Sequence, residues 1–510
     1  MRRCAVKGVV PVHFCKEGSR SQAFGGQGNN DPRAAADEPC GEWRLYGTKI
    51  LCIRRSCATI WRPLLPPASR GRETRNHRPC LPGRGAARTR YPEHEEQGVP
   101  MPEMFTVLPP ADALRLLFDQ LPPEIRLETV STLEALDRAL AENLLAPSSL
   151  PSFPRCTMDG YAVLAEDTFG ASESLPAYLT LIGEAPMGRA CPLTVASGQA
   201  VAVYTGGMLP AGADAVVMVE RTQKLDDATI EVLRSVATGE NLVEVGEDVR
   251  EGDSLFQAGH LLRPQDLGGL TALGITSLKV AARPRVAIIS TGDEVIPPDR
   301  SPAPGQIRDV NSYTISALVS RAGGIPLQRG IIPDDFDALL SAARSALEEA
   351  DCLVVSAGSS VSTRDLTADV INRLGAPGVL VHGIALRPGK PAILGVCDGK
   401  PVIGLPGNPV SAMVVADLFL GPLLRRIQGV GHAPLRRRVG ATLTHNIPSA
   451  PGREDYVQVR LADRDGRLWA EPVFGKSNLI YTMINSDGMV CVPLNSSGLY
   501  RDETVEVELF

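Results

Sequence analysis

The sequence predicts a multidomain α/β and β protein, with a helical layer, a small β domain, an α/β domain built on a parallel sheet, and a C-terminal β domain. Three observations carry this. Between about Pro284 and Gly429, β-branched runs alternate with helical stripes of apolar residues, the pattern of strands joined by crossover helices. The segments before and after it are β-rich and punctuated by glycine turns. The chain has 510 residues, too many for one ordinary domain.

Composition narrows the functional classes. The chain is 44% hydrophobic and 22% charged, with a formal net charge of -6. No run approaches the roughly 18 apolar residues a membrane span needs. Mild acidity argues against nucleic acid as the main partner, because phosphate-backbone binders show a clustered basic face. An anionic ligand would have to meet local positive charge.

Residues 1–103 read as an extension or an over-long start, with Met101 or Met104 as the working beginning. The first hundred residues hold about eighteen Lys/Arg against nine Asp/Glu, six of the eleven cysteines and little apolar periodicity. Lys7, Pro11 and His13 interrupt any apolar stretch after Met1-Arg2-Arg3, which argues against a secretion signal. The cysteines form no Cys-x-x-Cys pair, which argues against zinc. The expectation is disorder, and full activity from a chain beginning at Met101. The remaining cysteines, Cys156, Cys191, Cys352, Cys397 and Cys491, are scattered, as in a reducing cytoplasm.

Order begins near Ala111. Ser131-Thr132-Leu133-Glu134 has the spacing of a capping box, and Leu133, Leu136, Leu140 and Leu144 follow at helical intervals to Pro147. This predicts a helix. A second helix, from Gln265 to Leu273 and ended by Gly274, suggests that 104–150 and 249–283 form one helical layer interrupted by a β domain at 151–248. The α/β domain, 284–429, then runs as repeated units. Val286 to Ser290 is a strand feeding Ser290-Thr291-Gly292-Asp293-Glu294, and a helix capped by Asn311 carries Ile315, Leu318, Val319 and Ala322. Phe336, Leu339, Leu340, Ala343 and Leu347 stripe the next helix, Cys352 to Val355 is a strand before the loop Gly358-Ser359-Ser360, and Val370, Ile371 and Leu374 mark another helix. The fourth unit is Pro401 to Ala412, whose Pro406-Gly407-Asn408-Pro409-Val410-Ser411 turn reopens as a helix. The C-terminal β domain occupies 430–510, with strands at Tyr456 to Leu461, Leu468 to Val473, Val490 to Val492 and Thr504 to Leu509.

The loops at the carboxyl ends of a parallel sheet are where its ligands bind. Small residues with free N–H groups at the Gly407 turn suit an anion, and Lys390 in Arg387-Pro388-Gly389-Lys390-Pro391 adds a point charge. The implied ligand is phosphorylated. Asp293, Glu294 and Asp365 could hold Mg²⁺, which takes one or two carboxylates with water and phosphate oxygens. Asp293 and Asp365 equally suit the caps of helices after their loops, and both readings stand here.

The ordered motifs MDGYA (Met158 to Ala162), YTGG and PAGADAVV (Tyr204 to Gly207, Pro210 to Val217), GED (Gly246 to Asp248), STGDE (Ser290 to Glu294), GQIRDVN (Gly305 to Asn311), RPGKP and LPGNPVSA resemble the molybdopterin molybdenumtransferase family, which includes the E domain of gephyrin. The likeness runs from about Ala111 to Phe510. It implies a homodimer whose third domain is a doubly wound molybdopterin-binding fold. It further implies that adenylylated molybdopterin and molybdate react with Mg²⁺, releasing AMP, and that a molybdopterin adenylyltransferase is a partner. Carried over by motif, Asp159, Asp248, Glu294 and Asp365 are the catalytic candidates, with Glu294 and Asp365 holding the metal. Thr205, Ser290, Thr291, Gly292, Gly358, Ser359, Ser360, Lys390, Pro406, Gly407, Asn408 and Ser411 are the substrate-binding candidates. Asp159, Thr205 and Asp248 also fit ordinary turn positions beside glycine. The chain departs from the family pattern where Ser362 stands for a glycine, Arg364 adds a charge, Cys156 replaces a serine and Val310 replaces a hydroxyl. Two further readings stay open, a non-catalytic binder or scaffold on this fold and a molybdopterin adenylyltransferase.

Overall fold

The computed structural model describes residues 107–122, 124–357, 361–432 and 436–510, with side chains except at 361–365, together with the antiparallel backbone pair Arg44–Leu45 and Thr48–Lys49. The expectation for 1–103 otherwise lies outside the described residues. Residues 96–510 form one compact unit.

The α/β domain is a six-stranded sheet. Its elements are β1 (Arg285–Thr291), α1 (Asn311–Arg321), β2 (Ile325–Ile332), α2 (Phe336–Glu349), β3 (Cys352–Ala357), α3 (Val361–Leu374), β4 (Pro377–His382), β5 (Ile393–Cys397), β6 (Lys400–Pro406) and α4 (Pro409–Val415). The order is β2-β1-β3-β6-β5-β4. β2, β1, β3 and β6 are parallel, β5 runs antiparallel to β6, and β4, antiparallel to β5, returns to the common direction, so the fully parallel sheet expected from the alternation is corrected to a mixed one. The physical reason is local: β5 and β6 are joined by the tight turn at Asp398-Gly399, which only an antiparallel pair can use. Ile315 and Val319 of α1 pack with Val415 of α4 on one face; Leu339 and Ala343 of α2 pack with Val370 and Ile371 of α3 on the other. The sheet is therefore doubly wound. An N-terminal helix, Pro110–Asp119, buries Ala113 and Leu117 against the first of these faces.

The helix expected over 131–147 does not form. Leu127–Ser131 is a strand paired with Ser277–Ala281, Thr132–Ala135 is a single 3-10 turn, and Leu144–Leu145 pairs with Ser254–Phe256. Asp137 takes φ +58°, which ends any helix there, and Leu133 is 87% exposed. Ser131 and Glu134 hydrogen bond to each other at 2.7 Å rather than to backbone, so the capping box is absent. The leucine spacing was helical by coincidence; distant strand partners satisfy more of the backbone. The helix Pro264–Ala272 does form, ending before Gly274 at φ +76°.

The β domain is a six-stranded sheet in the spatial order Thr222–Lys224, Thr229–Val232, Ala177–Glu184, Gln199–Val203, Gly160–Val163, Ala215–Met218. In the C-terminal domain, Arg438–Leu443, Glu454–Arg464, Arg467–Pro472, Gly488–Val492 and Thr504–Leu509 pair in a closed ring around Leu443, Val459, Ala470, Val490 and Val507. Closure removes its edges, except that Leu386–Arg387, from the α/β domain, adds in parallel beside Glu454–Asp455.

Candidate active site

The loops leaving the carboxyl ends of β1, β3 and β6 are tied together by one buried side chain. Asn311 Nδ2 donates to Ser356 Oγ at 2.7 Å and to the Gly407 carbonyl at 2.9 Å. Asn311 was expected as the α1 cap; instead it is the first helical residue, and Asp309 Oδ1 takes the Ser312 N–H at 3.1 Å. The other Asp309 oxygen accepts from Ser290 Oγ at 2.8 Å, and Thr291 Oγ1 donates to Asp334. Ser290 and Thr291 are thus both buried and already engaged.

Of the two residues expected as helix caps, neither serves as one. Asp293 Oδ1 accepts from the Asp334 N–H at 3.3 Å, and an extended segment, Val295–Ile296, follows it. Asp365 is the fifth residue of α3, past the cap position, and the same helical backbone includes Ser362 and Arg364. The side chain of Asp365, and Gly358, Ser359 and Ser360 altogether, lie outside the described residues. Glu294 is half-buried, and its carboxylate has no partner among the described residues.

A cavity of about 610 Å³ opens between the β6 turn, the Arg387–Pro391 loop and the C-terminal barrel. It gathers Lys390, Pro406, Gly407, Asn408 and Ser411, five of the expected residues. Gly389 sits at φ +118°, and a Cβ there would lie 2.5 Å from Val415 and 2.7 Å from Leu386, so only glycine lets the Lys390 loop pack this closely. The barrel contributes Arg453, Asp455, Lys476 and Ser477. Ser477 is fixed by Asn408 Nδ2, which donates to its Oγ at 3.1 Å, and by the Val410 N–H, which donates to its carbonyl at 3.1 Å. Four cationic side chains, Arg387, Lys390, Arg453 and Lys476, face a single carboxylate, Asp455. Such a cavity favours an anion. The sequence reading took Asn311 as a helix cap rather than a site residue and did not single out the barrel residues; a local signal for the latter was the charged turn Gly452-Arg453-Glu454-Asp455.

A second cluster lies in the β domain. Asp159 Oδ1 accepts from the Thr205 N–H at 2.8 Å and from Thr205 Oγ1 at 2.9 Å. The Thr205 backbone N–H, then its hydroxyl, hold the Asp159 carboxyl below the usual carboxylate range. Next to Asp159, Gly160 lets the strand Ala215–Met218 pack closely, since a Cβ there would lie 2.0 Å from the Val217 carbonyl oxygen. Asp248 is exposed, with its N–H donating to the Leu150 carbonyl at 3.1 Å. The hydrogen bonds of Asp159 run to Thr205 and Val219, within the β domain. Asp159 and Thr205 are brought together; they are not joined to the cavity within one chain.

Three family models match in order: the MoeA N-terminal region (domain I and II) over 108–274, the probable molybdopterin binding domain over 287–426, and the MoeA C-terminal region (domain IV) over 440–510. This chain belongs to the MoeA family of molybdopterin molybdenumtransferases. It is 32% identical to the molybdopterin molybdenumtransferase of Haemophilus influenzae, over 77% of this chain and 96% of that one. It is 36% identical to a putative molybdopterin biosynthesis protein of Methanocaldococcus jannaschii, over 79% of this chain and 98% of that one. The crystal structure of the molybdopterin biosynthesis moeA protein of Pyrococcus horikoshii OT3 superposes with a TM-score of 0.69 at 33% identity, covering 79% of this chain and all of that one. Family membership makes the chain an enzyme, a transferase of molybdenum cofactor biosynthesis. The cationic cavity lies mainly between the second and third matched regions, on the molybdopterin binding domain's ligand edge.

Proposed function

We propose that the enzyme transfers molybdenum from molybdate to the dithiolene of adenylylated molybdopterin, breaking the phosphoric anhydride and releasing AMP, as a cytoplasmic homodimer that uses Mg²⁺. The observation that carries this reading is the cavity whose four cationic side chains come from two domains and surround the Gly407 turn. Lys390 and Lys476, with no carboxylate partner among the described residues, supply point charges to anionic oxygens.

The residues fit Mg²⁺. No group of three or more His, Cys, Asp or Glu able to hold a metal is present among the described residues, which disfavours an all-protein cage. Mg²⁺ needs only one or two carboxylates, and Glu294 presents one that has no partner among the described residues. Glu294 and Asp365 would hold the ion, which when bound neutralises charge on the phosphate oxygens. Asn311 keeps the β3 and β6 loop ends in register around that chemistry.

Asp159, Thr205 and Asp248 reach a cavity if the β domain of one protomer faces the α/β domain of the other. No helix among the described residues is long and apolar enough to cross a membrane, in keeping with a cytoplasmic enzyme. The test is incubation with adenylylated molybdopterin, molybdate and Mg²⁺ while AMP is followed. Binding without AMP release would replace the transferase by a non-catalytic binder. Mixing inactive Asp159→Asn and Asp365→Asn chains should restore AMP release if the site is shared across the dimer, and should restore none if it is not.

A further inference from the structure

Asp455 lines the cavity yet is only 2% exposed. Its Oδ1 accepts from Arg453 Nε at 2.8 Å, its Oδ2 from Arg453 Nη2 at 3.4 Å, and Arg387 Nη1 stands 3.5 Å from the same Oδ2. The two arginines belong to different domains. They are brought side by side because Arg387 pairs with Asp455 in the parallel strand that the α/β domain adds to the barrel, a junction closed by the Glu454 N–H donating to the Ala385 carbonyl at 2.9 Å. Each guanidinium keeps donors to spare: Arg453 Nη1, and Arg387 Nε and Nη2, have no partner among the described residues. Two like charges so close repel and sample many rotamers unless a carboxylate holds one edge of each planar fork.

We propose that Asp455 is a positioning residue for the transfer reaction, aiming the free edges of Arg453 and Arg387 at the oxyanion that enters the cavity. This rests on the transfer reaction proposed above, and takes molybdate as the oxyanion that the cavity's arginines meet. A charge-only role predicts the opposite sign: removing Asp455 makes the cavity more positive and tightens anion binding. A positioning role predicts that removing it weakens anion binding although the cavity gains positive charge.

The experiment is a steady-state comparison of wild type, Asp455→Asn, Arg453→Gln and the double variant, with melting curves alongside. Asp455→Asn should raise KM for molybdate about tenfold, the lower end for a charge-assisted contact, with kcat changed less than about threefold. In the Arg453→Gln background the same substitution should raise KM by less than it does in wild type, because only Arg387 is left for it to aim; independent structural damage would multiply instead. An unchanged or lowered KM for Asp455→Asn, or fully multiplicative effects, overturns the proposal. If Asp455→Asn does not fold, Asp455→Glu decides in its place: the shifted carboxylate should raise KM, and a wild-type KM refutes the role. Wild-type AMP release is read first. Its absence refutes the proposed reaction alone, and Asp455 is then judged from molybdate titration calorimetry with the same signs.

Discussion

Asn311→Ala separates holding a loop from holding the fold. The Asn311 amide is 7% exposed and donates twice, to Ser356 Oγ and to the Gly407 carbonyl, while its Oδ1 is buried with no partner among the described residues. Two neutral hydrogen bonds contribute about 1–3 kcal/mol net, and an orphaned buried acceptor costs about 1–3 kcal/mol. Alanine removes both the bonds and the orphan, and its helix propensity adds a few tenths of a kcal/mol in compensation, but it leaves the buried Ser356 hydroxyl and the Gly407 carbonyl without their donor. The stability loss should therefore be about 1–3 kcal/mol, a shift of about 1–4 °C in apparent melting temperature for a unit this size. The Gly407 turn, however, loses its tether to β3. Misplacing a binding loop by about 1 Å costs on the order of 100-fold in rate, so AMP release should fall by at least about tenfold.

Asn311→Asp calibrates the argument. It replaces the donating amide by an oxygen facing the Gly407 carbonyl, so a buried acceptor meets a buried acceptor and the protein should lose several kcal/mol. Differential scanning fluorimetry and AMP release on both variants decide the matter. Wild-type turnover in Asn311→Ala, or a melting shift as large as that of Asn311→Asp with turnover retained, refutes the assignment of Asn311 as a loop tether.

Three further outcomes are expected. Lys390→Ala should weaken binding of the phosphorylated pterin roughly 10- to 100-fold without lowering the melting temperature, since its ammonium has no protein partner among the described residues, and calorimetric titration reads it directly. Asp365→Asn and Asp365→Ala should both abolish AMP release at saturating Mg²⁺ while melting like wild type, because α3 places Asp365 beyond the cap position; an active Asn variant would remove it from the metal site. Burial alone would raise the carboxyl of Asp266, but the side chains of Arg263 and His260 bring it down to about 2, so its stabilisation, about 2 kcal/mol, is full above the ordinary carboxylate range and is lost as pH falls from about 5 toward 2. Asp266→Asn should flatten that acid limb of the melting curve, and an unchanged limb would refute the linkage.

The doubly wound domain was legible because β1, β3 and β6 are buried runs rich in branched residues and α1 and α2 carry apolar stripes, signals written within a dozen residues, whereas β2, β4 and β5 were not singled out and β2 has no buried residue. The ladder of Leu127–Ser131 on Ser277–Ala281 was not, because its partners are about 150 residues apart and the leucines between them imitate a helix. Asn311 was misread for a related reason: asparagine at a helix start is usually a cap, and only burial against Ser356 and Gly407 shows that its amide faces inward.

The cavity follows the same logic. Lys390 and the Gly407 turn announce themselves locally, through their glycines and prolines, and at Gly389 few other residues fit. Arg453, Asp455, Lys476 and Ser477 carry no such punctuation; they become a site only when the barrel closes and Arg387 adds to its edge. The strand pairing that builds the barrel's margin thus also sets the spacing of the cavity's cations. A substitution that loosens the Arg387–Asp455 junction should accordingly reach the chemistry without touching any residue of the loops that the sequence marks.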